Sequence, residues 1–436
     1  MLSREDNELL CRVGPGTPMG NLVREYWVPA ALSSELPEPG GSPLRVRLLG
    51  ESLIAYRTVS GAVGLMQSNC PHRGASLFYG RNEGEGLRCV YHGWKYDLGG
   101  RCVDMPSEPA ETDFSRKVRA TAYPCVERGG LVWAYMGPRE TPPPLPELEA
   151  TMLENVSIQA YQRECNWIQA LEGDIDTGHT VFLHLGGVDP DDVPAGTWAK
   201  YVLTQPAAHY EVADTDFGVM YGARRRAEAD TDYWRIANFL FPFYTMVPTG
   251  VLGLEIRMRA WIPMDDEHTL FVTVTSGAGP APRQAGRHAV GPPELLPNTT
   301  DWYGRFRLAA DARNDYLVDR KLQNTVSYTG ISSIHAQDQA VTESMGPIYD
   351  RTQEHLGTSD RMVIRTRKRL LDAAKALRDH GQVPPGVDDP KAYAVRSGGV
   401  VLPRGADWIE ATRELRAAWV KHPGLSRSVL GGVPAV

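Results

Sequence analysis

The chain has 436 residues, 42% hydrophobic and 23% charged, and 46 basic against 53 acidic side chains leave a net charge of −7. That is room for two or three domains of roughly 150 residues, each with a real core. The acidic balance argues against nucleic acid or an anionic membrane as the main partner. No apolar run reaches the ~20 residues of a membrane span. The charged start MLSREDNELLCRV has no apolar signal core, so a cytoplasmic location is expected. Six cysteines in such a compartment should be reduced or bound to metal. Cys70 and Cys89 have histidines at ligand spacing, whereas Cys11, Cys102, Cys125 and Cys165 do not and read as small buried residues.

Residues 1–43 read as a helical lead-in followed by the irregular stretch PEPGGSP. Within it GPGTPMG is a turn: it lacks the Lys-Ser/Thr of a phosphate loop, and its prolines remove N–H donors. Residues 44–140 contain short β-branched and aromatic segments, such as SLIAYRT and GLVWAYM, separated by glycine turns. This predicts a small antiparallel β domain. The proline-rich MGPRETPPPLPELE (136–149) reads as a linker. Residues 141–436 mix helix and strand. NWIQALEGDIDTGHTVFLH (166–184) reads as a helix that breaks near Gly178. VMYGARRRAEA, YWRIANFLFPFYTMVP, LEIRMRAWIPM and TLFVTVTSG read as long strands of a second antiparallel sheet, and 277–298 as a loop. A helix opens at a Ser359/Asp360 cap and stops before Gly381, and a shorter one lies in DWIEATRELRAAWVKHPG.

Two groups of residues carry chemistry. The first is Cys70-x-His72, sixteen residues, then Cys89-x2-His92. Two thiolates and two imidazoles suit tetrahedral zinc or a [2Fe-2S] centre in which two histidines replace two cysteines on one iron. Each loop offers one Cys and one His, so each can hand one ligand to each iron, which favours the second arrangement. Pro71 stiffens the first loop and Gly93 permits a tight second one. The second group is Asp176-x2-His179-x4-His184. Asp176 and His179 would share a helix face. His179 and His184, five residues apart, are about 140° out of register on an ideal helix. They converge on one metal only if the helix ends or bulges between them, which Gly178 allows. Two histidines alone are a weak signal. With a carboxylate they make the 2-His-1-carboxylate cage of non-haem Fe(II). Asp338 in AQDQAVTES is the candidate, with Glu343 as competitor.

Cys70–Gly74 (CPHRG) and Cys89–Asp97 (CVYHGWKYD) resemble the Rieske iron–sulfur domain. That resemblance implies that Cys70 and Cys89 bind one iron and His72 and His92 the other. With the later D-x2-H-x4-H, the order of the pieces resembles the Rieske non-haem iron oxygenases. NELLCRVGPGTPMG, QALEGDIDTGHTVFLH and QDQAVTES look most like the phthalate dioxygenase branch, and aryl-ether O-demethylases share the pattern. The resemblance implies an α+β fold: an antiparallel β Rieske domain, then a catalytic domain whose antiparallel sheet is flanked by helices in a helix-grip, START-like arrangement. It implies a mononuclear Fe(II) on His179, His184 and Asp338. It also implies a head-to-tail trimer, or stacked trimers, in which Asp176 bridges His92 of one chain and His179 of the next. Many members carry Asn where this chain has Glu172, so Glu172 and Asp174 are expected to support the site from behind or to lie at the surface.

No dinucleotide fingerprint is present, so NAD(P)H is expected to be oxidised by a separate flavin or ferredoxin-type reductase. Arg235, and after it Arg225, are the candidate clamps for a substrate carboxylate. The expected function is dihydroxylation of an aromatic carboxylate with O₂. The alternatives are O-demethylation of a methoxylated aromatic acid, a non-catalytic Rieske electron carrier, and a zinc-stabilised binding protein.

Overall fold

The computed structural model describes residues 1–184, 201–202, 205–276 and 292–422. The lead-in forms two short helices, α1 (Arg4–Cys11) and α2 (Pro18–Arg24). Ser3 caps the first through the Asp6 amide; Thr17 caps the second through the Gly20 amide, with Pro18 at its first position. GPGTPMG is therefore a turn that starts a helix.

Three small sheets follow. Strand β1 (Trp27–Leu32) pairs with β11 (Leu131–Tyr135), which pairs with β10 (Cys125–Arg128). Strand β1 escaped the pattern reading because WVPAAL is buried at every position and contains a proline. Pro29 sits where the register shifts, so its missing N–H costs no ladder bond. Strands β2 (Leu44–Leu48), β3 (Glu51–Arg57), β4 (Val63–Gln67) and β9 (Ala122–Tyr123) form a second sheet. The third sheet contains β5 (Arg81–Glu83), β6 (Gly86–Arg88), β7 (Lys95–Asp97) and β8 (Cys102–Asp104). A separate small core that includes Ile54, Tyr56, Met66, Leu77, Leu87, Trp94 and Tyr96 fills the space behind the two Cys-His loops.

The proline-rich stretch is packed, not loose. Trp27 Nε1 donates to the Pro143 carbonyl at 2.7 Å, and Glu149 forms a buried ion pair with Arg396 at 2.6 Å.

Beyond it lies one large antiparallel sheet. Its order is β12 (Val156–Arg163), β18 (Thr269–Ser276), β17 (Arg257–Pro263), β16 (Tyr244–Met246), β15 (Thr231–Leu240), β14 (Gly218–Arg226), β13 (His209–Thr215), and β19 (Gly398–Pro403) also pairs with β15. The four long apolar segments named above supply β14 to β18. Three helices pack on or beside it: α3 (Trp167–Ile175), α4 (Ile334–Glu343) and α5 (Arg361–His380), the last closed by Gly381 at φ 64°.

Three local expectations are corrected. Helix α3 ends at Ile175, three residues before Gly178, because Asp176 turns extended and caps the chain instead of continuing it. DWIEATRELR forms two four-residue turns, Trp408–Ala411 and Arg413–Arg416, not one helix. Its end is drawn away by pairing with residues 394–396, through Arg396 N to Arg416 O and Ala418 N to Ala394 O. Of the loop expected at 277–298, residues 277–291 lie outside the described residues, and 292–298 contain no helix or strand beyond the single bridge Leu295–Leu308.

Candidate metal centres and active site

The two Cys-His loops are near copies of each other. The Cys70 amide donates to Ala75 O and the Gly74 amide to Cys70 O; in the second loop the Cys89 amide donates to Trp94 O and the Gly93 amide to Cys89 O. Gly74 and Gly93 stand at φ 76° and 78°, the left-handed turn that glycine adopts freely. These turns present Cys70 and Cys89, both buried, below the half-exposed His72 and His92. The two imidazoles lie 4.4 Å apart between centroids, and Trp94 stacks on His72 at 4.1 Å. The Tyr96 hydroxyl lies 3.1 Å from Cys70 Sγ. Burial comes first among the causes that raise the Cys89 thiol, so an uncompensated thiolate there is disfavoured.

Zinc and a two-iron cluster can now be separated. A tetrahedral zinc holds its four donors roughly 3.5 Å apart. Among the described residues one set of three or more ligand-type side chains brings its donor atoms within 4.8 Å, and it is not this one. Cys70, His72, Cys89 and His92 span a wider gap, as a cluster with the thiolates on one iron and the imidazoles on the other requires.

The set that does converge is His179, His184 and Asp338. His179 starts a single 3-10 turn, His179–Val181, after the chain leaves α3, and Asp338 lies on α4. The histidines converge because the α-helix has already ended before the first of them, not because it bends between them. Their rings meet edge to face at 5.1 Å. His179 Nε2 and His184 Nε2 lie 3.7 and 3.3 Å from the same Asp338 oxygen. Their other nitrogens are committed: His179 Nδ1 faces Asp176 Oδ2 at 3.2 Å and His184 Nδ1 faces Gln337 Oε1 at 2.7 Å. Both acceptors place the hydrogen on Nδ1. Two Nε2 lone pairs and a carboxylate then face one another, an arrangement that suits a cation. Glu343 does not join the set. It accepts from Tyr316 Oη at 2.6 Å and the Glu164 amide at 2.7 Å, one helix end away.

Asp176 accepts the Gly178 amide on Oδ1 at 2.6 Å and both the amide and Nδ1 of His179 on Oδ2 at 3.2 Å. Its side chain is still 29% exposed. Glu172 and Asp174 are neither at the surface nor against the histidines. Glu172 lies between Arg351 and Arg367, with contacts of 3.1 and 2.6 Å. Asp174 accepts from Arg259, Thr245 and Trp261 Nε1. The two acids pin opposite sides of α3, and so fix where Asp176 and His179 emerge.

Arg259 and Thr245 both reach α3, so the sheet face they share is the one beneath the metal set. Thr245 pairs with Phe239, and alternation places Ala237, Arg235 and Tyr233 on that same face. Ala223 opposite Arg235, and Arg225 opposite Tyr233, join them. Arg225 and Arg235 are both buried, 2% and 4% exposed. Arg225 Nε and Nη2 donate to the carbonyls of Gln205 and Pro206, whereas Nη1 has no acceptor among the described residues. Burial, then the charge of Arg235, push the Arg225 guanidinium down from its usual value. Tyr210 and Tyr221 sit close enough to these groups to feel their charges: burial and then Asp176 raise the Tyr210 phenol while Arg225 and Arg235 lower it, and for Tyr221 burial raises the phenol while Arg235 lowers it. The sequence reading missed Tyr210, Tyr221 and Gln337. Gln337 had a usable signal, its place directly before a candidate ligand.

Residues 26–124 match the Rieske [2Fe-2S] domain, and residues 134–428 match the family described as LigXa C-terminal domain like. The chain is 49% identical over 421 residues to the 3-chlorobenzoate-3,4-dioxygenase oxygenase subunit of Comamonas testosteroni, covering 94% of this chain and 97% of that one. It is 38% identical to the phthalate 4,5-dioxygenase oxygenase subunit of Pseudomonas putida over 87% of each chain. The fold is similar to the terminal oxygenase of carbazole 1,9a-dioxygenase from Nocardioides aromaticivorans IC177, with a TM-score of 0.55 at 18% identity, covering 86% of this chain and 98% of that one.

Proposed function

Because the chain belongs to the Rieske non-haem iron oxygenases and is the terminal oxygenase of such a system, we propose that it dihydroxylates an aromatic carboxylate held by Arg225 and Arg235. The enzyme carries a Rieske [2Fe-2S] cluster and a mononuclear iron, and needs a separate reductase or ferredoxin as electron donor. In this reading Cys70 and Cys89 hold one iron of the cluster, His72 and His92 the other, and His179, His184 and Asp338 hold the mononuclear iron. When bound, the cluster stores electrons and the mononuclear iron activates dioxygen reductively.

The observation that carries the substrate class is Arg225. A buried guanidinium N–H without an acceptor asks for one. It lies diagonally across the ladder from a second arginine, on the sheet face below the metal set, with the Tyr233 hydroxyl also lacking a partner among the described residues. A carboxylate accepts from Arg225 Nη1 in a charge-assisted hydrogen bond and lies in the field of both guanidinium groups. Phe239 and Trp261, on the same face, supply an apolar wall for a ring. The relatives named above act on chlorobenzoate and phthalate, and this chain has the cationic floor for an acid of that kind.

Asp176 is the proposed link for incoming electrons. No hydrogen bond or ring contact joins the two Cys-His loops to the metal triad among the described residues. Asp176 keeps an exposed face after bonding His179, and can accept an imidazole N–H from outside. Val90 and Tyr91 are exposed beside His92, and Phe182 and Tyr328 are exposed beside the triad. Apolar patches at both metal centres favour head-to-tail docking of a second copy in a trimer.

The test is Arg225→Met assayed with a surrogate reductase on benzoates and phthalates and on their carboxamides. Loss of a charged hydrogen bond worth about 1.5–3 kcal/mol should raise KM for the acids roughly 10–150-fold. KM for the amides should hardly change. Equal KM values for the acids in wild type and variant reject the clamp. Product mass decides the chemistry: gain of two oxygens and two hydrogens supports dihydroxylation, loss of a methyl group supports demethylation.

A further inference from the structure

Each histidine of the triad is held from behind, but by different groups. Asp176 holds His179 with a carboxylate that is partly open to solvent. Gln337 holds His184 with a neutral amide that is 1% exposed. We propose that Gln337 is a positioning residue for the mononuclear metal: it fixes the tautomer and ring angle of His184 so that Nε2 points at Asp338. The proposal rests on the assignment of His179, His184 and Asp338 as the metal set.

The geometry determines the roles within the hydrogen bonds. Gln337 Nε2 donates to the Ile331 carbonyl at 2.7 Å, and a carbonyl can only accept. The amide therefore cannot flip without losing that bond, and Oε1 must be the end facing His184. At 2.7 Å from Oε1, His184 Nδ1 must carry the hydrogen. Nε2 is left as a lone pair, 3.3 Å from Asp338 Oδ1. Gln337 and Asp338 are neighbours on α4, so one helix turn positions the carboxylate ligand and the group that aims the second imidazole. Ile331 lies just before α4, so the loop entering the helix is part of the same brace. A ligand imidazole with a fixed partner loses less freedom when metal binds.

The test compares Gln337→Leu, Gln337→Glu and, as control, Asp338→Ala, all with the cluster intact as judged by its visible spectrum. Fe(II) affinity at the mononuclear site is measured by chelator competition, and ligand geometry by the absorption of Co(II) placed in that site. Gln337→Leu should weaken Fe(II) binding about 10–100-fold and alter the Co(II) spectrum. Gln337→Glu keeps an acceptor for Nδ1, and should recover most of the affinity and the wild-type spectrum. A Gln337→Leu protein with wild-type affinity and spectrum overturns the proposal. So does a Gln337→Glu protein that loses as much as Gln337→Leu, because acceptance by Oε1 would then not matter. Should Gln337→Leu fail to fold with its cluster, the Glu variant decides alone: wild-type spectrum and near-normal affinity support the proposal, a loss of tenfold or more (about 10-fold at the least) overturns it. Asp338→Ala separates the two readings. If it keeps its iron, the metal set itself is wrong; if it loses iron while Gln337→Leu does not, only the role of Gln337 falls.

Discussion

Glu172→Gln should unsettle the catalytic half of the molecule while leaving the cluster half alone. The glutamate accepts from Arg351 Nε and Nη2 at 3.2 and 3.1 Å and from Arg367 Nε and Nη2 at 2.6 and 3.0 Å. The arginine side chains are 0% and 5% exposed. Arg367 retains Glu354, but Arg351 has no second carboxylate among the described residues, only Asn7, Cys11 and the Tyr349 carbonyl. Neutralising one member of a buried pair while leaving the cation in place costs about 3–5 kcal/mol. A domain of roughly 300 residues unfolds with an entropy near 0.6 kcal/mol/K, so the Tm should fall by about 5–8 °C. The sign with pH also follows. Burial alone would raise the Glu172 carboxyl, but Arg351 and then Arg367 hold it below its ordinary value. Its stabilisation is complete above the unfolded-state pKa of about 4.3 and is lost as pH falls through the lower folded value. The gap between wild type and variant should therefore be full near neutral pH and close in acid. Far-UV circular dichroism reports the unfolding, and cluster absorbance reports the Rieske region separately. A Tm at neutral pH within about 1 °C of wild type would refute the view that Glu172 pins α3 through a desolvated charge network, given the cost expected for breaking one.

Asp176→Asn should keep both metals but slow oxidation of a pre-reduced cluster during a single turnover by about 10–100-fold, since one end of the amide presents a donor to an approaching imidazole N–H; stopped-flow absorbance of the cluster measures this, and a normal rate would remove Asp176 from the electron route. Asp265 accepts from Tyr303 Oη, His268 Nδ1 and Arg47 Nε, the last reaching it from β2. Against a burial that would raise it, the hydrogen bonds from His268, Tyr303 and the Glu267 amide and the His268 charge hold its carboxyl well below the ordinary range. Its stabilisation is thus present above about pH 3.9 and lost as pH falls through the folded value. Asp265→Asn should flatten the decline of Tm below about pH 4, and an unchanged acid limb would show that the Asp265 carboxylate network carries no stability.

What could be seen in the linear chain was whatever is local. CPHRG and CVYHGW encode their own turns, because a glycine with positive φ and a short loop determine where a Cys and a His two or three residues apart will point. The long strands were legible too, since β14 to β18 are rich in β-branched and aromatic residues that cannot all be left in water. Local pattern failed where distant partners decide. Asp176 ends α3 by bonding the Gly178 and His179 amides, but nothing in IDTGH says that the helix stops at Ile175 and not at Gly178. For Glu172 the local pattern leaves a supporting and a surface role equally open, because its two arginines arrive from 179 and 195 residues downstream. Gln337 carries no local mark of its partner, because its histidine lies 153 residues upstream. The ligand types are therefore readable from short motifs, whereas the groups that orient them come from elsewhere in the fold. The same division marks where function can be altered without dismantling the site. Replacing a ligand removes the metal, but replacing Glu172, Gln337 or Asp176 changes only how firmly, at what angle, or by what route the metal is served.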